Sequence, residues 1–324
     1  MRGRVGWGLL SAALLLFPIV FSGAFARDIG VAFLLAAISA SAWNIVGGYA
    51  GQVSVGHSMF FGIGAYMPLL FYSLFGWSPI VGIPVGIVLS IGLAVLIGMP
   101  TFRLSGHYFS MATIAVAELI RIFTGTWNFV GAAIGLQGPA TARGWWDLIF
   151  RGELPYYYLF LAVLAILLAV TSVIERRRFG FYLRAIKASE RAARSLGVPV
   201  RRTKMKALAL SAAFTSIAGS LYVIKTGFID PDSAFGILIS VQMVIVAALG
   251  GAGTLFGPLV GALILIPLQS ATNTWFGGGG SGLTYILYGG IIVLIARFEP
   301  GGLFDLWHRL APALRNAFRK RLPA

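Results

Sequence analysis

Two long stretches of the chain carry no fixed charge. Residues 29–102 contain no Asp, Glu, Lys or Arg, and neither do residues 233–296. A helix that crosses a bilayer needs about 20 mostly apolar residues, so these runs alone hold about six or seven spans. The other apolar segments raise the expected number to ten, at roughly 7–26, 29–47, 57–75, 79–99, 107–124, 156–174, 207–225, 234–250, 257–275 and 283–297. The fold this pattern predicts is an all-α polytopic membrane protein with about ten transmembrane helices, forming one transmembrane domain over 1–324. Two sizeable loops, 125–155 and 175–206, and a basic tail, 298–324, complete it.

Composition sharpens this. Hydrophobic residues make up 58% and charged residues only 11%, against roughly 25% charged in an ordinary soluble domain. A mean hydropathy of +0.87 excludes a soluble globule or a disordered chain. Arg2 and Arg4 precede the first apolar stretch, and Ala24-Phe25-Ala26 resembles a cleavage site. That stretch nevertheless exceeds the 7–15-residue core of a signal peptide, so an uncleaved first helix is expected. The chain has no cysteine, which removes thiolate chemistry and disulfides.

The net charge of +15 would point to nucleic acid in a soluble protein. Here the basic residues crowd into 175–206 and the end of the chain beyond 297. Basic clusters beside spans mark the cytoplasmic side. Ten spans place both termini there, with the 175–206 loop, and put 125–155 on the periplasmic side. The surplus therefore expresses topology and attraction to anionic lipid, with no nucleic-acid partner.

Glycine is frequent, at 42 residues. Small-xxx-small spacings at Gly47/Gly51, Gly82/Gly86 and Gly253/Gly257/Gly261 suit close helix packing in a bilayer. Two clusters go further: Gly47-Gly48-Tyr49-Ala50-Gly51-Gln52 and Gly250-Gly251-Ala252-Gly253-Thr254. Each breaks a long uncharged run, at corresponding places in the two halves, as a weak internal repeat and a transporter's central pathway would. Irregular backbone at membrane depth must meet protein or water. Gly51, Gln52, Ser54, Gly253 and Thr254 are thus candidates for the pathway.

No G-x-x-x-x-G-K-[ST] phosphate loop, H-E-x-x-H or G-x-S-x-G occurs, so no nucleotide, zinc or serine-nucleophile chemistry is visible. Ionisable residues inside spans are functional candidates by default, which adds His57 and Glu118. Glu118 and Arg121 sit at i, i+3 and can neutralise one another. His57 reads first as a satisfied interior histidine.

The sharpest local signal lies in the 175–206 loop. Ser189 suits an N-cap, Glu190 and Arg194 suit the two ends of a helix dipole, and Gly197 with Pro199 ends it. A helix over about 190–196 follows, too short to stand alone in water. Ala192, Ala193 and Leu196 offer it a small apolar knob among Arg191 and Arg194, a shape for docking a cytoplasmic protein.

These motifs together resemble the LivM-type permease subunits of bacterial ABC importers for branched-chain amino acids. Four pieces over about 29–300 carry the likeness: Gly51-Gln52-Val53-Ser54-Val55-Gly56-His57 through Tyr66; Gly106-His107-Tyr108-Phe109-Ser110 with Thr113 and Glu118; Arg184 through Ser189-Glu190-Arg191-Ala192-Ala193 to Gly197; and Gly250-Gly251-Ala252-Gly253-Thr254-Leu255-Phe256-Gly257-Pro258. The resemblance implies a bacterial inner-membrane complex with a second related permease subunit, two cytoplasmic ATPases that bind the ATP, and a periplasmic substrate-binding protein. It makes 189–197 the ATPase-coupling helix and gives this chain no cofactor of its own. One departure is Val130-Gly131-Ala132-Ala133 where similar proteins carry Thr-Gly-Gly, which leaves urea, a short amide or another amino acid open as substrate. A stand-alone secondary transporter would need more carboxylates at depth than Glu118 alone.

Overall fold

The computed structural model of the protein describes residues 14–21, 23–104, 106–139 and 147–275, with 286, 289 and 290. Helix α1 is described over 14–20. The long helices that follow are α2 (Ala24–Val46), α3 (Ser58–Phe75), α4 (Pro79–Thr101), α5 (His107–Thr126), α6 (Glu153–Arg176) and α9 (Val200–Thr226). The short α7 (Arg178–Ala188) and α8 (Glu190–Ser195) link α6 to α9, and α10 (Pro231–Phe235), α11 (Ile237–Gly250) and α12 (Gly257–Trp275) close the described part.

Among the described residues, seven segments are long and apolar enough to cross a membrane: α2, α3, α4, α5, α6, α9 and the pair α10–α11. The chain is a helical polytopic membrane protein. Helix α12 is as long, but its last turns carry Gln269, Ser270, Thr272, Asn273 and Thr274. The expected span 283–297 and the tail 298–324 lie outside the described residues, as does most of the first half of 7–26.

Helix α9 sits at the centre, against α2, α3 and α4. Its buried side chains are mostly small: Ala207, Ser211, Ala212, Thr215, Ser216, Ala218 and Ser220. Lipid tails are as apolar as leucine, so helices in a bilayer gain by close packing and buried hydrogen bonds. Here α3 and α9 touch backbone to backbone. A Cβ on Gly64 would strike the Ser216 carbonyl, and one on Gly219 the Phe61 carbonyl. Ser220 Oγ donates to the Gly64 carbonyl at 2.7 Å. The outer faces of α4 and α5 carry large exposed apolar side chains, Val88, Leu96, Leu119 and Phe123 among them.

One end of the bundle is tied by Lys225, which pairs with Asp28 and, at 3.3 Å, with Glu153. At that end β1 (Leu136–Gln137) pairs antiparallel with β2 (Phe228–Ile229), joining the 125–155 segment to the α9–α10 turn. The opposite end carries α7 and α8.

That second end departs from the expected loop. Residues 175–206 are helical almost throughout, and α9 begins at Val200 instead of near 207. Charge density marks where a span leaves the bilayer, not where its helix stops. The 27 residues of α9 reach about 40 Å at 1.5 Å per residue, beyond a hydrocarbon core of about 30 Å, so the helix has length to spare for its basic first turns, where Arg201 and Arg202 are exposed. Helix α7 forms because Gly180, Leu183 and Ile186 recur on one buried face.

Candidate functional site

Helix α8 forms as its residues dictate. Ser189 Oγ accepts from the Ala192 amide at 3.3 Å, an N-cap, and Gly197 takes a left-handed φ of +80°, where a side chain would strain the backbone. Ala193 is buried beside Ile186 and Val200. Leu196 faces outward, 82% exposed, flanked by Arg191 and Arg194. Six residues cannot hold a helix in water unaided. The supports are the small cluster around Ala193 and the Glu190 carboxylate, which accepts from Gln52 Nε2 at 3.3 Å and pairs with Lys204. Lys204 is buried at the first turns of α9, its side chain 1% exposed, and that carboxylate is its ion-pair partner.

Gln52 belongs to the first glycine break, and the second break lies directly against it. Asn44 joins them: its Nδ2 donates to the Thr254 carbonyl at 2.9 Å, and its Oδ1 accepts from the Gly253 amide at 2.7 Å. Backbone approaches backbone here, since a Cβ on Gly48 would meet the Gly253 nitrogen. Lys187 of α7 reaches into the same place. Its Nζ lies 3.5 Å from the Ala252 carbonyl, its side chain covers Gly51, and burial pushes its ammonium below the usual lysine range. Tyr49 donates to Glu175 Oε1 at 2.7 Å, and burial together with that carboxylate pushes the phenol well above its ordinary value.

Ser54 and His57 form the next layer inward. Trp43 Nε1 donates to the Ser54 carbonyl at 2.7 Å. His57 Nδ1 is 2.9 Å from Ser54 Oγ, and Nε2 is 2.8 Å from Ser211 Oγ. Ser211 donates its own proton to the Ala42 carbonyl at 2.7 Å, so its oxygen accepts from Nε2–H, and Nδ1 accepts from Ser54. The histidine is neutral, buried and satisfied, as its sequence context implies.

Gly51, Gln52, Gly253 and Thr254 therefore converge with the capped helix at one end of the bundle, Ser54 and His57 adjoin them, and Glu118 stands apart. Glu118 pairs with Arg121 at 2.5 Å, as the i, i+3 spacing implies, and Arg121 also pairs with Asp232 of α10. Three participants escape a reading of the sequence: Asn44, Lys204 and Asp232. Asn44 carried a signal, being the one amide side chain in α2.

The fold and this end of the bundle define a membrane-embedded helical protein with a short outward-facing helix tied to two interrupted spans. Residues 26–296 match the family described as the permease component of branched-chain amino acid transport systems, and the chain belongs to that family. It is 29% identical over 303 residues to the high-affinity branched-chain amino acid transport system permease protein LivM of Escherichia coli (strain K12), covering 86% of this chain and 70% of the relative. It is 25% identical over 293 residues to the probable branched-chain amino acid transport permease protein LivM of Methanocaldococcus jannaschii, covering 80% and 81%. The ribose import permease protein RbsC of Escherichia coli (strain K12) is 24% identical over 231 residues, covering 68% and 70%.

Proposed function

We propose that this chain is a membrane-spanning subunit of an ATP-driven importer for branched-chain amino acids, working in a bacterial inner membrane with about ten spans and both termini in the cytoplasm. A second related permease subunit completes the passage. Two separate ATPases supply the energy, and a periplasmic binding protein delivers solute to the end where 125–155 meets 226–236. The two LivM relatives favour the substrate class over ribose, since they cover 86% and 80% of the chain against 68% for the ribose permease.

The observation that carries the coupling role is the mounting of α8. Its apolar tip, Leu196, is exposed, while its base is fastened through Glu190 to Gln52 of the first glycine break and to Lys204 of α9. In this reading, force applied to the tip by an ATPase reaches Gly51, Gln52, Gly253 and Thr254, and the passage opens or closes as spans α2, α9 and α11 shift. Glu118 belongs to the opposite mouth.

The test is Leu196→Asp in the assembled complex. Labelled leucine uptake and solute-stimulated ATP hydrolysis should both fall by more than about tenfold, as for losing a buried interface anchor, with the chain's own stability unchanged. Unaltered uptake would remove α8 from the ATPase contact. Absence of any ATP-dependent uptake by the wild-type complex would overturn the importer reading.

A further inference from the structure

Between α2, α9, α11 and α12 lies a cavity of about 350 Å³, within the range of small-molecule sites. Ser233 of α10 and Asn273 near the end of α12 line it at the end away from α8. Along α2 and α11, the lining residues nearest the glycine breaks are Ser39 and Val246. About five residues beyond Ser39, or some 8 Å along the helix, stand Trp43, which donates to the Ser54 carbonyl, and Asn44, which holds the two glycine breaks together. The cavity thus lies on the side of the bundle away from α8, and its lining stops short of the layer to which α8 is tied.

Its lining is unusual for a bilayer interior. Gln242 and Gln269 face each other across it, Gln242 Nε2 donating to Gln269 Oε1 at 3.4 Å. Two carboxamides offer four N–H donors and two carbonyl oxygens, and that single long contact uses one of each. Among the described residues no further partner engages either amide. Uncharged polar groups left bare in hydrocarbon are expensive, so both are built to meet water or a solute. The rest of the wall is largely aliphatic or aromatic, including Leu35, Met243 and Ile266. No described lining residue is Asp, Glu, Lys or Arg.

We propose that this cavity is the entrance of the solute passage within this subunit, and that it binds a small solute of zero net charge with an aliphatic part. A zwitterionic amino acid fits. The N–H groups of the amide pair take its carboxylate, an amide carbonyl takes its ammonium, and the apolar wall takes its side chain. An ion of net charge finds no countercharge among the described lining residues and is rejected. This inference deepens the importer reading and rests on it for the direction of travel.

The absence of native cysteine makes the test clean. Ala36→Cys lines the cavity and Val88→Cys lies on the outer face of α4; each is made in the full chain, purified and placed in lipid nanodiscs. A water-soluble, charged methanethiosulfonate reagent should modify the thiol of Ala36→Cys and not that of Val88→Cys. Millimolar leucine should slow modification of the cavity thiol at least about fivefold, as its occupancy of the site requires, and lysine or glutamate should not. Adding Gln242→Met and Gln269→Met keeps the volume of the wall and should abolish protection while the cavity thiol stays reactive. The proposal is overturned if the cavity thiol reacts no faster than the lipid-facing one, if leucine gives no protection, if lysine protects equally, or if the double methionine variant is still protected. ATP-driven uptake by the wild-type complex without protection refutes this site and leaves the importer reading intact. Protection by leucine in a chain whose complex shows no ATP-driven uptake refutes the importer reading and leaves the site.

Discussion

Replacing Glu190 by alanine should release α8 from the bundle. The carboxylate is the partner of Lys204, whose side chain is 1% exposed, and it also holds Gln52. Removing one member of a fully buried ion pair costs about 3–5 kcal/mol, chiefly because the other charge is stranded. Glu190 is 34% exposed in its side chain, so water softens the loss and a figure of about 2–3 kcal/mol is appropriate. The helix has only six residues and no stability of its own to draw on, so the loss falls on its docking. At 1.4 kcal/mol per tenfold, docking weakens about 30- to 140-fold. Hydrogen exchange over residues 190–198, in nanodiscs, reads this directly, with protection falling by that factor while the centre of α9 is unchanged. Adding Lys204→Met removes the stranded ammonium and should restore most of the protection. Exchange within about threefold of wild type, or a double variant no better than the single one, would refute the reasoning.

Two further outcomes follow from the packing and the charges. Gly64→Val drives a side chain into the Ser216 carbonyl and should cost more than the usual 1–3 kcal/mol of overpacking, because backbone cannot yield; Gly92→Val, with open space around it, is the control, and monodisperse yield in detergent tells them apart. Lys187 is held below the usual lysine range by burial, so the released segment binds more protons than the docked one. Docking of α7 should therefore strengthen as pH rises toward the ordinary lysine value of about 10.4 and weaken as it falls through the lowered one. Hydrogen exchange over 178–188, corrected for its intrinsic pH dependence, should show that slope and lose it in Lys187→Met.

The sequence made some of this legible and hid the rest for identifiable reasons. Spans α2 to α6 are readable because a bilayer imposes one length and one polarity on every crossing helix. The cap of α8 is readable because Ser189 and Gly197 act through their own backbone neighbours. The helical character of 178–188 and of Val200–Lys206 is hidden by charge, which in a membrane protein marks depth and is easily mistaken for irregular structure. His57 is readable as a buried neutral group, yet its partner Ser211 lies 154 residues away, and no local pattern points to it.

The two glycine breaks show best where a sequence stops informing. Each is visible as an interruption, and their likeness in the two halves of the chain invites the idea of equivalent positions around a pathway. Their actual relation is contact, made by a side chain 210 residues from the carbonyl it holds. Asn44 is one amide among buried apolar and hydroxyl side chains of α2, and its cost in a bilayer is met only because Gly253 and Thr254 present an N–H and a C=O at that point. The break between α11 and α12 supplies those groups by not being helical, and Gly48 and Gly253 let the two backbones come close enough for one amide to bridge them. Helix α7 closes the arrangement with Lys187 on Ala252, and α8 grips the neighbouring Gln52 through Glu190. The α7–α8 segment is therefore in contact with both breaks at once. The links are side chains of Asn44, Lys187 and Glu190 reaching partners far away in sequence, a pairing that residue identity alone does not record.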